Sequence, residues 1–435
     1  HFMKIMGASF AFAGFGLAGC RRPVQKIVPY AKQPENMIPG VPKYFATSMP
    51  SGSDSVPLIV ETHEARPTKI EGNANFELYG GGTNSFAQAS VLDLYDPDRS
   101  STSIDVKERR PLSKAAAKDI LTGINKEYKV KKGEGLAFLV EGSNSPTRAR
   151  LIKKLRKNLP AALVAEYDPV DSSKPERALK AIAGEPLRAN YHFENAKRIL
   201  SLDSDFLETG GGAIGFSRGW AKARKVTSSK EAHKMNRLYQ LESDFSITCG
   251  MADHRLRLSS AQIPAFFAGI AAEVLSDVSA HQGLLSKLRK TFGSLDVADK
   301  EKWVKECADD LRNHKGKSIV IAGSHLPDAV HQLAFLVNAA LDARGSTVDY
   351  LKAPDEGYVD IRSLADAISG NRVETLVIIN GNPVYNAPAD LNWAELQKKV
   401  PNVVRYGYYF DETTEKANTH IAATHYLESW SDGRT

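Results

Sequence analysis

Residues 316–345 read GKSIVIAGSHLPDAVHQLAFLVNAALDARG, and residues 135–160 repeat the same plan as GLAFLVEGSNSPTRARLIKKLRKNLP. Each stretch opens with a continuous apolar run, Ser318–Ala322 or Leu136–Val140, followed by a glycine–serine turn and an amphipathic helix, which begins near Asp328 in the first stretch. Apolar runs without alternation are typical of strands buried on both faces of a parallel sheet. Both stretches therefore predict a strand, a turn and a covering helix of an α/β fold.

Further apolar runs extend this fold. Residues 375–380, in VETLVIINGNPVYN, and residues 196–202, in AKRILSLDSDFLE, predict two more buried strands. Residues 56–61 and 67–70 predict two short strands around a turn, and Gly72-Asn73 closes that unit. The predicted fold class is therefore α/β, with Rossmann-like parallel sheets and more than one such sheet.

Small and polar residues follow the predicted strands, at the edge where open α/β sheets bind ligands. They are Glu141-Gly142-Ser143, Asp203-Ser204-Asp205, Gly323-Ser324 and Gly381-Asn382-Pro383. None forms a G-x-G-x-x-G or G-x-x-x-x-G-K-[ST] motif, so ordinary dinucleotide or NTP binding is not indicated. Gly210-Gly211-Gly212 offers backbone N–H groups to a phosphate, although a plain flexible loop is the preferred interpretation.

The amino-terminal segment differs from everything that follows it. Residues 5–19 carry no charge, lie between Lys4 and Arg21-Arg22, and are rich in Gly, Ala and Phe. This run is shorter than the roughly 20 residues that span a bilayer, and it fits the apolar region of an export signal better. A short buried core helix is the less favoured alternative, because Gly and Phe are weak helix formers.

A second signal lies at the end of this segment. Leu17-Ala18-Gly19-Cys20 is similar to a lipoprotein box, which makes Cys20 a candidate lipid attachment residue, and residues 1–4 resemble the tail of a twin-arginine export motif. We therefore predict that residues 1–22 are an export signal, retained as a membrane anchor or cleaved before a lipidated Cys20. Residues 23–55, with prolines at short intervals, predict an extended connector.

Composition and cysteine usage restrict the classes of protein and of site. The 435 residues carry a formal charge of +6, with basic and acidic residues interleaved, which gives nucleic-acid binding little support. The three cysteines, Cys20, Cys249 and Cys307, form no C-x-x-C pair, so this chain alone cannot build a four-cysteine iron–sulfur site. A disulfide between Cys249 and Cys307 is one interpretation, and two unrelated buried thiols are the preferred one.

Four groups of titratable side chains invite a catalytic or metal-binding interpretation. They are Asp253-His254-Arg255; His420, His425 and Glu428; His325 and His331; and His63 with Glu61 and Glu64. Three consecutive side chains do not face one substrate, so the first group favours a structural ion pair. His420, His425 and Glu428 lack a further ligand at fixed spacing. His325 and His331 do not share a helical face, and His63 with its two glutamates fits a solvated strand and turn. We assign no catalytic, cofactor-binding or metal-binding residue.

Several stretches taken together resemble one family. They are RPTKIEGN (66–73), SFAQASVLDLYDPDRS (85–100), ILSLDSDFLE (199–208), CGMADHRLRLSS (249–260), NGNPVYNAPAD (380–390) and ATHYLESWSDGRT (423–435). In this order they resemble the molybdopterin oxidoreductase superfamily. More narrowly, they are similar to the B subunit of alternative complex III, a bacterial quinol oxidoreductase, from about residue 57 to residue 435.

The resemblance implies a set of expectations about cofactors and partners. Family enzymes usually begin with a four-cysteine cluster motif, and many ligate molybdenum through Cys, Sec or Ser; this sequence offers neither the motif nor a convincing ligand, since Cys249 is a poor candidate. We therefore expect no molybdopterin in this chain. Iron–sulfur clusters are expected in a C-terminal domain beyond residue 435, and haem c in partner subunits. The expected partners are a multihaem cytochrome c, quinol-binding membrane subunits and a terminal oxidase.

The resemblance also sets the expected function and domain plan. The chain is expected to be a non-catalytic scaffold of a respiratory quinol oxidoreductase, anchored by its N-terminus at the periplasmic face of the inner membrane. The alternatives are the amino-terminal part of an active periplasmic molybdopterin enzyme and an unrelated exported binding protein. Residues 56–435 are expected to form the α/β region, divided into one subdomain of residues 56–130 with 370–435 and another of residues 131–369.

Overall fold

The computed structural model describes residues 35–52, 54–276, 282–297, 299–353 and 357–434. The predicted export signal or anchor at residues 1–22, with Cys20, lies outside these residues. Within the described residues, no helix combines the length and the apolar character needed to cross a bilayer.

The described chain alternates strands and helices. The strands are β1 (Lys43–Ser51), β2 (Asp54–His63), β3 (Arg66–Gly72), β4 (Ser103–Asp105), β5 (Arg110–Leu112), β6 (Leu136–Val140), β7 (Leu163–Glu166), β8 (Leu187–Tyr191), β9 (Arg198–Leu202), β10 (Arg237–Glu242), β11 (His254–Arg257), β12 (Ser318–Ala322), β13 (Val348–Lys352), β14 (Thr375–Ile379), β15 (Asn402–Gly407) and β16 (Thr419–Ala422). The helices are α1 (Ser85–Leu94), α2 (Lys114–Val130), α3 (Pro146–Asn158), α4 (Lys174–Ala183), α5 (Ala213–Arg224), α6 (Ile247–Gly250), α7 (Ile263–Val274), α8 (Gln282–Gly293), α9 (Lys300–Arg312), α10 (Asp328–Ala340), α11 (Ile361–Ser369), α12 (Pro383–Asn386), α13 (Trp393–Lys398) and α14 (Glu412–Glu415).

A seven-stranded sheet has the order β5-β4-β16-β15-β14-β6-β7. Strands β16, β15, β14, β6 and β7 pair in parallel, and the short β4 and β5 close one edge in antiparallel fashion. The apolar runs of β6 and β14 are almost wholly buried because helices cover both faces. After β6, Ser145 caps α3 by accepting the Arg148 N–H at 3.1 Å, and Pro146 occupies the first turn.

A second, four-stranded parallel sheet has the order β11-β10-β9-β12. Its edge strand β12 is completed by a helix, because Asn338 of α10 accepts the Val320 N–H at 2.9 Å and donates to the Val320 carbonyl at 2.8 Å. Helix α7 is almost entirely apolar and packs into the core against α8 and α9. Gly269 permits this packing, since a Cβ there would lie 2.6 Å from the Phe292 ring.

A three-stranded antiparallel sheet, β1-β2-β3, precedes both parallel sheets. Its first strand lies in residues 23–55, which the sequence predicted as a connector. Every residue of β1, from Lys43 to Ser51, has a register partner in β2. The C-terminal part of the predicted connector is therefore a paired strand, stabilised by hydrogen bonds to β2.

The predicted strands agree closely with the structure. The apolar runs at Leu136–Val140 and Ser318–Ala322 are strands with the predicted bounds, and α10 begins at Asp328. The strand pairing, however, divides the chain differently from the predicted subdomains. Strands β6 and β7 fall within residues 131–369, yet they hydrogen-bond in the sheet that contains the C-terminal strands. The apolar pattern identifies strands but not their partners, so it could not locate this boundary.

Candidate functional site

A cavity of about 810 Å³ lies beside the loops that follow β6 and β7. Its walls come from the loops after β6 and β7, the helix α4, the antiparallel ribbon of β8 and β13, and the glycine turn before α5. The carboxyl ends of parallel strands, which are the usual ligand edge of such sheets, thus contribute to one wall. The residues that line the cavity include Tyr79, Gly142, Tyr167, Asp168, Asp171, Glu176, Arg177, Arg188, Tyr191, Gly212, Phe216, Lys352 and Tyr358.

The glycine turn that the sequence singled out binds a carboxylate of the chain itself. Gly212, with a φ of 85°, donates its N–H to Asp54 Oδ2 at 2.7 Å, at the N-terminus of α5. The Tyr79 hydroxyl donates to the same oxygen at 2.7 Å, and the Ser55 N–H donates to Oδ1 at 2.8 Å. Asp54 is only 5% exposed. A buried carboxylate therefore takes the position at which the sequence allowed a phosphate.

Two cavity carboxyl groups are held in a poorly solvated environment. Asp168, just after β7, accepts the Gly142 N–H at 3.0 Å, and a Cβ at Gly142 would come within 2.3 Å of that carboxylate. Glu176 lies in the first turn of α4. Burial raises the pKa of both carboxyl groups above their ordinary values.

The polar residues predicted at the strand ends meet in two pairs. Asp203, after β9, lies 3.0 Å from His325 Nε2 and accepts the Ser260 hydroxyl at 2.5 Å, beside the Gly323 turn that follows β12. In the seven-stranded sheet, Glu141 lies against Gly381. Burial raises the pKa of the Glu141 carboxyl group.

A buried ion pair between Arg405 and Asp411 lies beside the contact between Glu141 and Gly381. The Arg405 side chain is 4% exposed, and its guanidinium lies 3.0 Å from the Asp411 carboxylate. The same guanidinium donates to the Gly381 carbonyl, which fixes the loop after β14 against β15. Arg405, Asp411 and the Gly381 carbonyl therefore form a structural network, because their polar atoms contact one another.

The histidines considered as metal ligands are separated in the structure. His420 is fully buried, with Nε2 lying 2.9 Å from the Ser100 hydroxyl. His425 instead caps a short turn: its Nδ1 accepts the Leu427 N–H at 3.3 Å, and Glu428 accepts the His425 N–H at 2.9 Å. In the part of the chain that the structure describes, no three His, Cys, Asp or Glu side chains are placed to hold a metal ion.

The consecutive residues Asp253, His254 and Arg255 have three different partners. Asp253 forms a bidentate ion pair with Arg224, at 2.6 and 2.8 Å, which agrees with the predicted structural role. The His254 ring stacks on Tyr239, and the Arg255 guanidinium lies over the Phe245 ring. The three side chains therefore do not act on one substrate.

The two described cysteines are separate buried thiols, as preferred from the sequence. Cys249 and Cys307 are both free and buried. Burial raises the pKa of the Cys249 thiol to about 11 and that of the Cys307 thiol well above its ordinary value. Neither thiol lines the cavity. A protonated, buried thiol is a weak metal ligand, because it is the thiolate that binds.

The most constrained group of the site, Asp54 with Tyr79, was not predicted from the sequence. Asp54 precedes the first predicted strand, in a stretch that the sequence assigned to the connector, and lies 158 residues from Gly212. No local signal marked it, because the burial of this carboxylate depends on donors from distant parts of the chain.

We predict that Asp54→Ala lowers the free energy of unfolding by about 3 kcal/mol, because the buried Gly212 and Tyr79 donors both lose their acceptor. Chemical denaturation followed by circular dichroism measures this loss. The matched control is Asp360→Ala, which removes an exposed carboxylate that caps α11 and should cost about 1 kcal/mol. Equal losses in the two variants would contradict a special role for Asp54.

We also predict a pH-dependent stability contribution from His420. Burial lowers the pKa of its imidazole from 6.5 to about 4, so between these values the unfolded chain binds a proton that the folded chain does not. The free energy of unfolding therefore decreases as the pH falls, by about 2 kcal/mol between pH 7 and pH 5.

The measurement compares unfolding free energies at the two pH values for the original chain and for His420→Gln. The variant should lose about 2 kcal/mol less on acidification. An unchanged pH dependence in His420→Gln would contradict the prediction.

Comparison with known proteins gives a structural likeness without a sequence match. No family model matches the chain, and no curated protein matches its sequence. Acetylene hydratase from Pelobacter acetylenicus is similar in structure, with a TM-score of 0.61 and 10% identity over 85% of this chain and 61% of that chain. The chain thus spans about three-fifths of the length of that protein. At this identity the likeness shows the fold alone, a mixed α/β fold with parallel sheets similar to that of acetylene hydratase.

Proposed function

We propose that this chain is a non-catalytic scaffold within a membrane-bound respiratory quinol oxidoreductase of the alternative complex III type. It holds no molybdopterin of its own and supports electron transfer by iron–sulfur and haem centres in other domains and subunits. Its place is the periplasmic face of the inner membrane, with the N-terminus as anchor. The fold of the superfamily and the resemblance in six sequence stretches support this proposal.

The cysteine of the resembling stretch is poorly placed to ligate molybdenum, which supports the proposal. Many enzymes of the superfamily ligate molybdenum through Cys, Sec or Ser. The cysteine in the resembling stretch, Cys249, is 3% exposed, and its thiol has a pKa raised to about 11 by burial and by the neighbouring Glu242. It also lies outside the cavity. Burial and a neighbouring carboxylate both disfavour the thiolate, which is the form of cysteine that ligates a metal.

The observation that carries the proposal is the Asp54 carboxylate at the glycine turn. Molybdopterin bears a phosphate, and a glycine turn at a helix N-terminus is the part of this cavity best suited to bind one. The Gly212 N–H instead donates to Asp54, which is a negative charge fixed by three hydrogen bonds. A phosphate placed there would meet this charge at close range, at an energetic cost. The site chemistry therefore supports a chain that positions other subunits rather than a cofactor.

We predict that the chain co-purifies with a c-type haem protein. An affinity-tagged chain, extracted with mild detergent from the membranes of its native host, should retain a haem absorption band and a membrane subunit. The same chain purified alone should show neither haem nor iron–sulfur absorption, because no C-x-x-C-H or cysteine cluster exists in its sequence.

The control is an untagged host carried through the same extraction and purification. Recovery of the tagged chain without any haem protein or membrane subunit would contradict the scaffold proposal and favour a separate exported binding protein.

A further inference from the structure

The cavity described above has a wall of aromatic side chains. The rings of Tyr191 and Phe216 meet edge to face, with centroids 5.8 Å apart. Tyr167 is held in place by donating its hydroxyl to the Asn386 carbonyl at 2.6 Å, and Tyr358 also lines the cavity. Rings held in this way offer preformed surfaces against which a planar ligand can stack.

Two carboxyl groups of the same cavity have little compensation for their charge. Asp168 accepts one backbone N–H, from Gly142, and has no ion-pair partner within 4.0 Å among the described residues. Glu176 has Arg188 Nε at 3.8 Å, which is too long for a hydrogen bond. Burial raises the pKa of both carboxyl groups, and the nearby arginines offset this shift only in part. A cationic ligand would supply the missing charge.

The cationic side chains of the cavity are, by contrast, partly neutralised by the chain. Arg177 forms an ion pair with Asp171, and Lys352 Nζ lies 2.8 Å from Glu185. The lining as a whole carries six carboxyl groups and five lysine or arginine side chains, so it has no excess of positive charge. An anionic ligand therefore gains little from these side chains.

The backbone donors of the cavity are also directed toward the chain's own carboxylates. The Gly212 N–H donates to Asp54, and the Gly142 N–H donates to Asp168. Both glycines line the cavity, at the positions where an anion would otherwise accept hydrogen bonds. The acceptors that remain are carboxylate oxygens, which bind donors and cations.

We infer that this cavity binds an organic cation with an aromatic body, which stacks against the aromatic side chains of the lining and pairs with Asp168 and Glu176. An amidinium or a protonated amine has the required donors. An amidinium presents two parallel N–H groups and matches a carboxylate through two hydrogen bonds. This inference is independent of the proposed scaffold role, since it concerns only the lining of the cavity.

Three probes of equal size separate the effect of charge from that of shape: benzamidine, benzamide and benzoate. Each is titrated into the purified chain at pH 7 and followed by isothermal calorimetry and by ligand-observed NMR. Benzamidine, which is a cation at this pH, should bind most tightly, the neutral benzamide at least tenfold more weakly, and benzoate least of all. A charge-assisted hydrogen bond is worth about 1.5–3 kcal/mol, which is tenfold or more in affinity.

Variants locate the binding. Glu176→Gln and Asp168→Asn should each weaken benzamidine binding about tenfold while leaving benzamide binding nearly unchanged. Glu374→Gln is the matched control, because this carboxylate lies outside the cavity and pairs with Lys131 at 2.7 Å. Circular dichroism identifies any variant that fails to fold, and the other variant then serves as the test.

Three outcomes would overturn the inference. Benzoate binding as tightly as benzamidine would show that the cavity selects anions or shape alone. Failure of all three probes to bind would show that the cavity takes no aromatic ligand. Benzamidine binding that is unchanged in both cavity variants would place the cation at a different surface.

Discussion

The buried Asp54 carboxylate is the constraint on which the arrangement of the site depends. It lies at the start of β2 in the N-terminal sheet, yet its strongest hydrogen bonds are to Tyr79 and to the turn before α5. A carboxylate that is 5% exposed requires such donors, since burial without them is costly. These hydrogen bonds therefore hold the antiparallel sheet against the turn before α5. The two residues that donate them, Tyr79 and Gly212, line the cavity.

This arrangement changes the chemistry that the fold offers. Parallel sheets place ligand sites at the carboxyl ends of their strands, and glycine turns at helix N-termini commonly take phosphate. In this chain the glycines at these positions bind side chains of the chain itself. Gly212 and Gly142 donate their N–H groups to Asp54 and Asp168, and the Gly381 carbonyl accepts from Arg405. The sheets thus have the geometry of a ligand-binding edge, while the Gly212 and Gly142 N–H groups are already bonded within the chain. A structural role in a larger assembly is compatible with this pattern, and so is a cavity that selects cations.

The sequence predicted the local elements well and their long-range partners poorly. The runs at Leu136–Val140 and Ser318–Ala322 were recognisable because continuous apolar residues have few other uses in an α/β chain. Pairing is different, because β6 joins β14 across more than 200 intervening residues, and no local pattern marks that register. The same limit applies to Asn338, whose side chain completes the edge strand β12.

The candidate site shows the same limit at single residues. For Gly210-Gly211-Gly212 a plain flexible loop was preferred over a source of N–H groups for a phosphate, and the acceptor of the Gly212 N–H, Asp54, comes from a stretch predicted to be a connector. His420 lies against the Ser100 hydroxyl, a partner 320 residues away that local spacing could not indicate. Burial of Asp168 and Glu176 depends on helix α4 and the β8–β13 ribbon, whose positions only the tertiary structure provides.

The proposal that this chain is a scaffold without molybdopterin is best tested by elemental and pterin analysis of the protein isolated from its native membranes. Inductively coupled plasma mass spectrometry measures molybdenum and tungsten per chain, and oxidative acid extraction followed by fluorescence measures pterin. We expect molybdenum, tungsten and pterin far below one equivalent per chain, in a preparation that retains its haem partner. One equivalent of molybdenum or tungsten with pterin, bound to this chain after its partners are removed, would refute the proposal.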